Sequence, residues 1–323
     1  MRPRSEERLY RQYMEFFEKA ERKRRWNVFE DIPWDEWKPE YASEEMAISA
    51  ETFCGVEMYL PDYTSEGLNL VRDSFGQAWF HANWGYEESK HSFSLREYLL
   101  RTGQRSYEQM RDYERSIFEK RWSMPFETPR EMAIYGALQE KATWMIYHAQ
   151  LGRAKQIGDP VLAAIYRFAG RDEAAHASFY QDTLALCLEE DRAGTLSDMA
   201  HVIANFKMPA YDLIPEYEQR VEVMRSVGID RNVFFKQVLF PILRRLGVTR
   251  REIVVAGRKN RDAELAGKEV DRQEGLVLPD EGGEEGSKPQ AEAEPAERDG
   301  GATADEDGGS AAQAAVERIR ETG

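Results

Sequence analysis

Apolar residues recur at three- and four-residue spacing along most of the chain, and no stretch of any length alternates apolar and polar. That pattern predicts helices and no sheet. An amphipathic helix is expected over 5–24 on Leu9, Tyr13, Phe16, Phe17 and Ala20, closing on the basic run Arg22–Arg25, which reads as a solvated helix end. Residues 26–37 hold Trp26, Trp34, Trp37 and Pro33 and read as an irregular strap across other helices. Further helices are expected over 44–66, from Gly76 to Arg101, over 106–119, over 129–157 and onward from Pro160. Shorter ones follow over 195–207, 212–227 and 231–246, while 247–279 carries no decisive pattern. Thr128 before Pro129 is a natural N-cap with proline at the first helical position.

Four of these stripes are interrupted by an acid. Ala50, Phe53, Glu57 and Leu60 share one face; so do Trp84, Glu88, His91, Leu95 and Leu99. Ala133, Ala137, Glu140, Trp144 and Tyr147 form a third, and Leu162, Ile165, Ala169, Glu173, His176 and Tyr180 a fourth. An unpaired buried carboxylate costs several kcal/mol, so each acid needs a proton, a cationic partner or a metal. Pro61 cannot donate to the carbonyl of Glu57, so the helix is expected to bend or loosen there.

Glu88 and His91, and again Glu173 and His176, are three residues apart and point the same way, as two ligands of one metal must. Glu57 precedes the first pair by 31 residues and Glu140 the second by 33, so the chain carries a quasi-repeat. In an antiparallel bundle, two helices then give one Glu each and two give Glu-x-x-His, all inward. Four carboxylates and two neutral imidazoles carry a charge that two divalent ions cancel. Mixed oxygen and nitrogen donors with carboxylate in excess suit iron or manganese better than magnesium or a closed zinc site. Dioxygen activation is the general expectation, with ferroxidase or storage proteins, the radical-generating subunit of ribonucleotide reductase and other di-iron oxygenases as alternatives. His81, His148 and His201 lack this context and read as ordinary residues.

The net charge of −15 is unevenly spread. Residues 280–323 hold thirteen acids against four bases, a net of −9, which leaves −6 for 1–279. The division expected is a helical domain over 1–279 and an acidic, low-complexity, disordered tail over 280–323. Cys54 and Cys187 form no CxxC pair, which fits a reducing cytoplasm and argues against thiolate-held zinc or an iron–sulfur cluster. No apolar run is long enough to span a bilayer, nothing resembles a signal peptide, and no feature suggests nucleic-acid binding.

The motifs Glu57-Met58-Tyr59-Leu60-Pro61, Glu87-Glu88-Ser89-Lys90-His91, Gln139-Glu140-Lys141-Ala142-Thr143, Gly152-Arg153-Ala154-Lys155, Asp172-Glu173-Ala174-Ala175-His176 and Met208-Pro209-Ala210 run in one order from about Trp26 to Pro209. In this set the chain resembles the soluble acyl-acyl carrier protein desaturases. The resemblance implies a ferritin-like four-helix bundle with additional flanking helices, binding two iron ions (Fe2+) per chain. It implies removal of two hydrogens from adjacent methylenes of an acyl chain on acyl carrier protein, with dioxygen and a ferredoxin-type donor, by a cytoplasmic homodimer. Its metal ligands would correspond to Glu57, Glu88, His91, Glu140, Glu173 and His176, its active-site threonine to Thr143, and an electron route to Trp26 and Asp172. The family carries basic residues inside both Glu-x-x-His motifs; here Lys90 keeps one, and Ala174 and Ala175 stand where others would be.

Overall fold

A computed structural model describes residues 3–209, 213–225 and 231–274. Among them there is no strand, and the fold is an all-α, ferritin-like bundle. Its helices are α1 (Pro3–Lys19), α2 (Glu44–Glu57), α3 (Leu60–Val71), α4 (Phe75–Arg101), α5 (Tyr107–Phe118), α6 (Pro129–Ile157) and α7 (Pro160–Glu190). Beyond them come α8 (Arg192–Ala204), α9 (Tyr217–Arg225), α10 (Arg231–Phe234), α11 (Phe240–Arg245) and α12 (Arg250–Glu274). The last fills the stretch whose sequence pattern was indecisive. The acidic 280–323 segment lies outside the described residues.

The four helices that carry the interrupted stripes are α2, α4, α6 and α7, in which α2 packs on α4, α6 on α7, and α4 on α7. The tight α6–α7 connection follows from its sequence. Gly158 takes the left-handed conformation (φ 82°) that ends α6, a position where a Cβ would be strained. Asp159 then caps α7 through the Leu162 N–H at 2.9 Å and accepts from the Tyr98 hydroxyl at 2.7 Å, which fixes the end of α4 to this corner. At the other end of α6, Thr128 and Glu131 close a capping box before Pro129.

The helix expected over 44–66 is two helices. α2 stops at Glu57, and α3 starts at Leu60 with Pro61 in its first turn. Pro61 brings no N–H to the Glu57 carbonyl, so the loosening expected beside that acid is a full break. α1 packs on α4 and α7 and runs into a π-helical turn, Ala20–Arg24. The strap over 26–37 follows, with Trp26 buried and stacked on Phe168 of α7 at 5.2 Å. Across the bundle, α9 is pinned to α2: Arg220 Nη1 donates to Glu51 Oε2 at 2.7 Å, while Arg105 Nε donates to Glu51 Oε1 at 2.8 Å.

Candidate metal centre

The four interrupted stripes turn their acids to one point in the core. Glu57 comes from the last turn of α2, Glu88 and His91 from the middle of α4, Glu140 from α6, and Glu173 and His176 from α7. All six are buried. Ligand atoms of Glu57, Glu88, His91 and Glu173 lie within 4.8 Å of one another, and so do those of Glu88, Glu140, Glu173 and His176. Glu88 and Glu173 belong to both groups, so the arrangement is two adjoining four-residue sites that share two carboxylates. The imidazoles face inward through Nδ1: His91 Nδ1 is 3.0 Å from Glu88 and 3.4 Å from Glu173, and His176 Nδ1 is 2.9 Å from Glu88 and 3.4 Å from Glu140.

Atoms at the centre have no hydrogen-bond partner of workable geometry. They are Glu88 Oε1, Glu140 Oε2, both oxygens of Glu173, and Nδ1 of His91 and His176. Every one is a donor atom for a metal, and all six belong to residues that converge on one point in the core. Among the described residues no arginine or lysine pairs with any of the four central acids. The donor set therefore fits cations, and two divalent ions balance its charge.

The titration behaviour has the same cause. Burial, then the charge of Glu88, pushes Glu57 up to about 8. Burial and the charges of Glu88 and Glu140 raise Glu173 well above the usual carboxylate range. Burial alone would lower the imidazoles, but the surrounding carboxylates outweigh it and raise both well above the ordinary value. Glu88 is the counter-case: burial opposes its ionisation, yet the charge of His91 and the close approach of His176 hold it down at about 2. Protons are thus held at the centre wherever a cation does not replace them.

A surrounding set of side chains orients these six, and most of it was not read from the pattern. Nε2 of His176 donates to Glu87 at 2.7 Å, and Nε2 of His91 lies 3.5 Å from Asp172. Each motif is thus preceded by an acid, Glu87 or Asp172, that serves the other motif's imidazole. The doublets Glu87-Glu88 and Asp172-Glu173 were the signal. Trp84 Nε1 donates to Glu140 at 2.9 Å, and the Tyr147 hydroxyl to Glu57 at 2.6 Å. Asp172 also accepts from Trp26 Nε1 at 2.7 Å, so Trp26, Asp172 and His91 form one chain from the strap to the centre. Arg24, expected on a solvated helix end, is buried among these acids instead. His81 is buried as well; its Nε2 donates to the Tyr63 carbonyl at 3.2 Å and burial pushes it down to about 4, so it is neutral.

Thr143 lies on α6 one turn beyond Glu140. Its hydroxyl donates to the Gln139 carbonyl at 3.1 Å and lies in the wall of a cavity of about 130 Å³ with Phe53, Glu57, Ile146, Tyr217 and Val221. A second cavity of about 50 Å³ lies among Trp84, Glu88, Tyr135, Glu140 and Tyr180. Val56, Glu57, Gln139 and Pro209 line both, so apolar space runs past the centre on the Glu57 and Glu140 side.

With this geometry in view, comparison with known proteins places the chain. The model of the family described as fatty acid desaturase matches residues 56–272, more than half of the sequence. The chain belongs to this family. DesA1 of Mycobacterium tuberculosis, named as an acyl-[acyl-carrier-protein] desaturase, is 25% identical over 265 residues, covering 75% of this chain and 77% of that protein. A chloroplastic stearoyl-[acyl-carrier-protein] 9-desaturase of Arabidopsis thaliana is 30% identical over 162 residues, covering 47% of this chain and 41% of the relative. Among solved structures, that of the acyl-ACP desaturase DesA2 from M. tuberculosis matches 76% of this chain and 99% of its own with a TM-score of 0.54 at 18% identity, a likeness of fold. No helix among the described residues is long and apolar enough to cross a membrane.

Proposed function

We propose that the protein is a di-iron, dioxygen-dependent desaturase that places a cis double bond in an acyl chain carried on acyl carrier protein. The observation that carries this is the cluster of buried, orphaned donor atoms on four helices, bordered on one side by apolar space. Glu57, Glu88, His91, Glu140, Glu173 and His176 would hold the two irons. When bound, these supply the oxidising power by which –CH2–CH2–, dioxygen, two electrons and two protons become –CH=CH– and two waters.

The chain's own residues do the rest. Glu87 and Asp172 hold the imidazoles by Nε2, which keeps Nδ1 toward the centre and raises its basicity. Trp84 and Tyr147 fix one oxygen each of Glu140 and Glu57. The cavity bearing Phe53, Ile146 and Val221 takes methylenes and excludes water, and Thr143 with Gln139 gives it one polar stretch next to Glu57. The Trp26–Asp172–His91 chain is the route proposed for electrons from a ferredoxin-type donor. The same assignment expects a cytoplasmic homodimer.

The test is a reconstitution. Iron-loaded protein is incubated with reduced ferredoxin, dioxygen and acyl carrier proteins bearing chains of graded length, and products are read by mass spectrometry. An alkene two mass units lighter than one of the substrates is expected. Rapid ferrous oxidation in a cage-sized assembly with no alkene from any chain would mark an iron-handling protein instead.

A further inference from the structure

Arg24 occupies the one place where the two outer acids meet. Its Nη1 donates to Asp172 Oδ1 at 2.6 Å and Glu87 Oε2 at 3.0 Å, and its Nη2 donates to Glu87 Oε1 at 2.9 Å. Those same two carboxylates hold His91 and His176. Arg24 is 8% exposed, and its guanidinium lies under the ring of Phe16 at 4.8 Å. It arrives from outside the bundle, on the π-helical turn that ends α1. Such turns reset the register of a helix, and they concentrate where a side chain must be re-aimed.

The other bases nearby do not share this task. Lys90 Nζ has no hydrogen-bond partner and rests over the rings of Trp26 and Tyr86 at 4.7 and 5.1 Å. Arg171 donates to the backbone carbonyl of Arg24 at 2.5 Å. Arg25 reaches Glu87 and Asn83 but not Asp172. Within the second motif, positions 174 and 175 are alanines and offer no base.

We infer that Arg24 is a positioning residue for both imidazoles of the metal centre, a single fork that sets Glu87 and Asp172 and through them the directions of His176 and His91. This rests on the proposed two-metal reading. A planar guanidinium can satisfy two carboxylates at fixed angles, whereas an ammonium supplies the charge without the fork. Because one group serves both imidazoles, its loss weakens both metal positions together.

The experiment titrates metal-free full-length protein with cobalt(II), reading visible d–d bands against a competing chelator, for wild type, R24Q, R24K and R24Q/A175R. Ala175 lines the same surface groove as Arg24, so an arginine there can reach the two acids from inside the second motif. R24Q is expected to lose about 10- to 100-fold in affinity at both positions. R24K should fall between R24Q and wild type, with altered bands, and R24Q/A175R should recover most of the loss. A residue that only fastens α1 would lower the melting temperature, leave the bands unchanged and gain nothing from A175R. Wild-type bands and affinity in R24Q, or weakening at one position alone, would overturn the inference while leaving the metal centre standing. If R24Q does not fold, R24K decides: wild-type bands and affinity there overturn it. Fewer than two cobalt ions on wild type would overturn the centre itself and this inference with it.

Discussion

Glu57 shows how much of the centre is set by single side chains. It ends α2, which cannot continue because of Pro61, and one of its oxygens is held by Tyr147 at 2.6 Å. Removing that donor in Tyr147→Phe leaves a buried carboxyl oxygen short of a partner, a loss of about 1–3 kcal/mol that melting of the metal-free protein should show. The same residue forecasts a pH response. Metal-free folded protein keeps protons on Glu57 up to about 8, and on Glu173, His91 and His176 above their ordinary values, while the unfolded chain releases them near 4.5 and 6.5. The folded state therefore binds more protons, and its stability falls as pH rises, from about 4.5 through Glu57 and Glu173 and from about 6.5 through the imidazoles as well, by about 1.4 kcal/mol per pH unit for each extra proton. Metal takes the place of those protons. Calorimetric melting temperatures should drop over this range for metal-free protein and not for loaded protein, and loading at pH 7 should acidify a weak buffer.

Helix periodicity reveals which side of an element faces inward, and for the four helices of the centre that was enough. The acids that break the stripes of α2, α4, α6 and α7 are the ones that converge. It does not reveal which distant residue that side meets. Arg24 continues the buried stripe of Leu9, Tyr13 and Ala20, but among four consecutive bases it looked solvated. Glu87 lies one step off its stripe, and only the partner helix shows why it is buried. α12 is charge-rich with a weak apolar face, so its existence depended on packing against α8. Gly136 on α6 is a further case: a Cβ there would stand 2.7 Å from the ring of Tyr180, which borders the smaller cavity. Alanine would gain up to about 1 kcal/mol in helix propensity, but displacing a packed ring costs about 1–3 kcal/mol. Gly136→Ala should therefore lower the melting temperature, and displacement of Tyr180 should shift the acyl length turned over fastest in competition between chains.

On the scale of the whole molecule, the quasi-repeat of Glu and Glu-x-x-His was legible because inward acids that converge from two helix pairs need matched spacing. The division at 280 rests on composition alone. Removing 280–323 takes the formal charge from −15 to −6 and is expected to leave helicity by circular dichroism and metal content unchanged, while altering elution on anion exchange. A drop in metal content on truncation would place the segment in the folded unit. The proposed chemistry depends on six side chains from four helices acting as one two-metal site. Iron bound per chain after anaerobic loading and gel filtration tests it most directly. Two per wild-type chain, falling well below two in Glu140→Ala with helicity retained, is the predicted result; one or none in wild type, or two in Glu140→Ala, would contradict it.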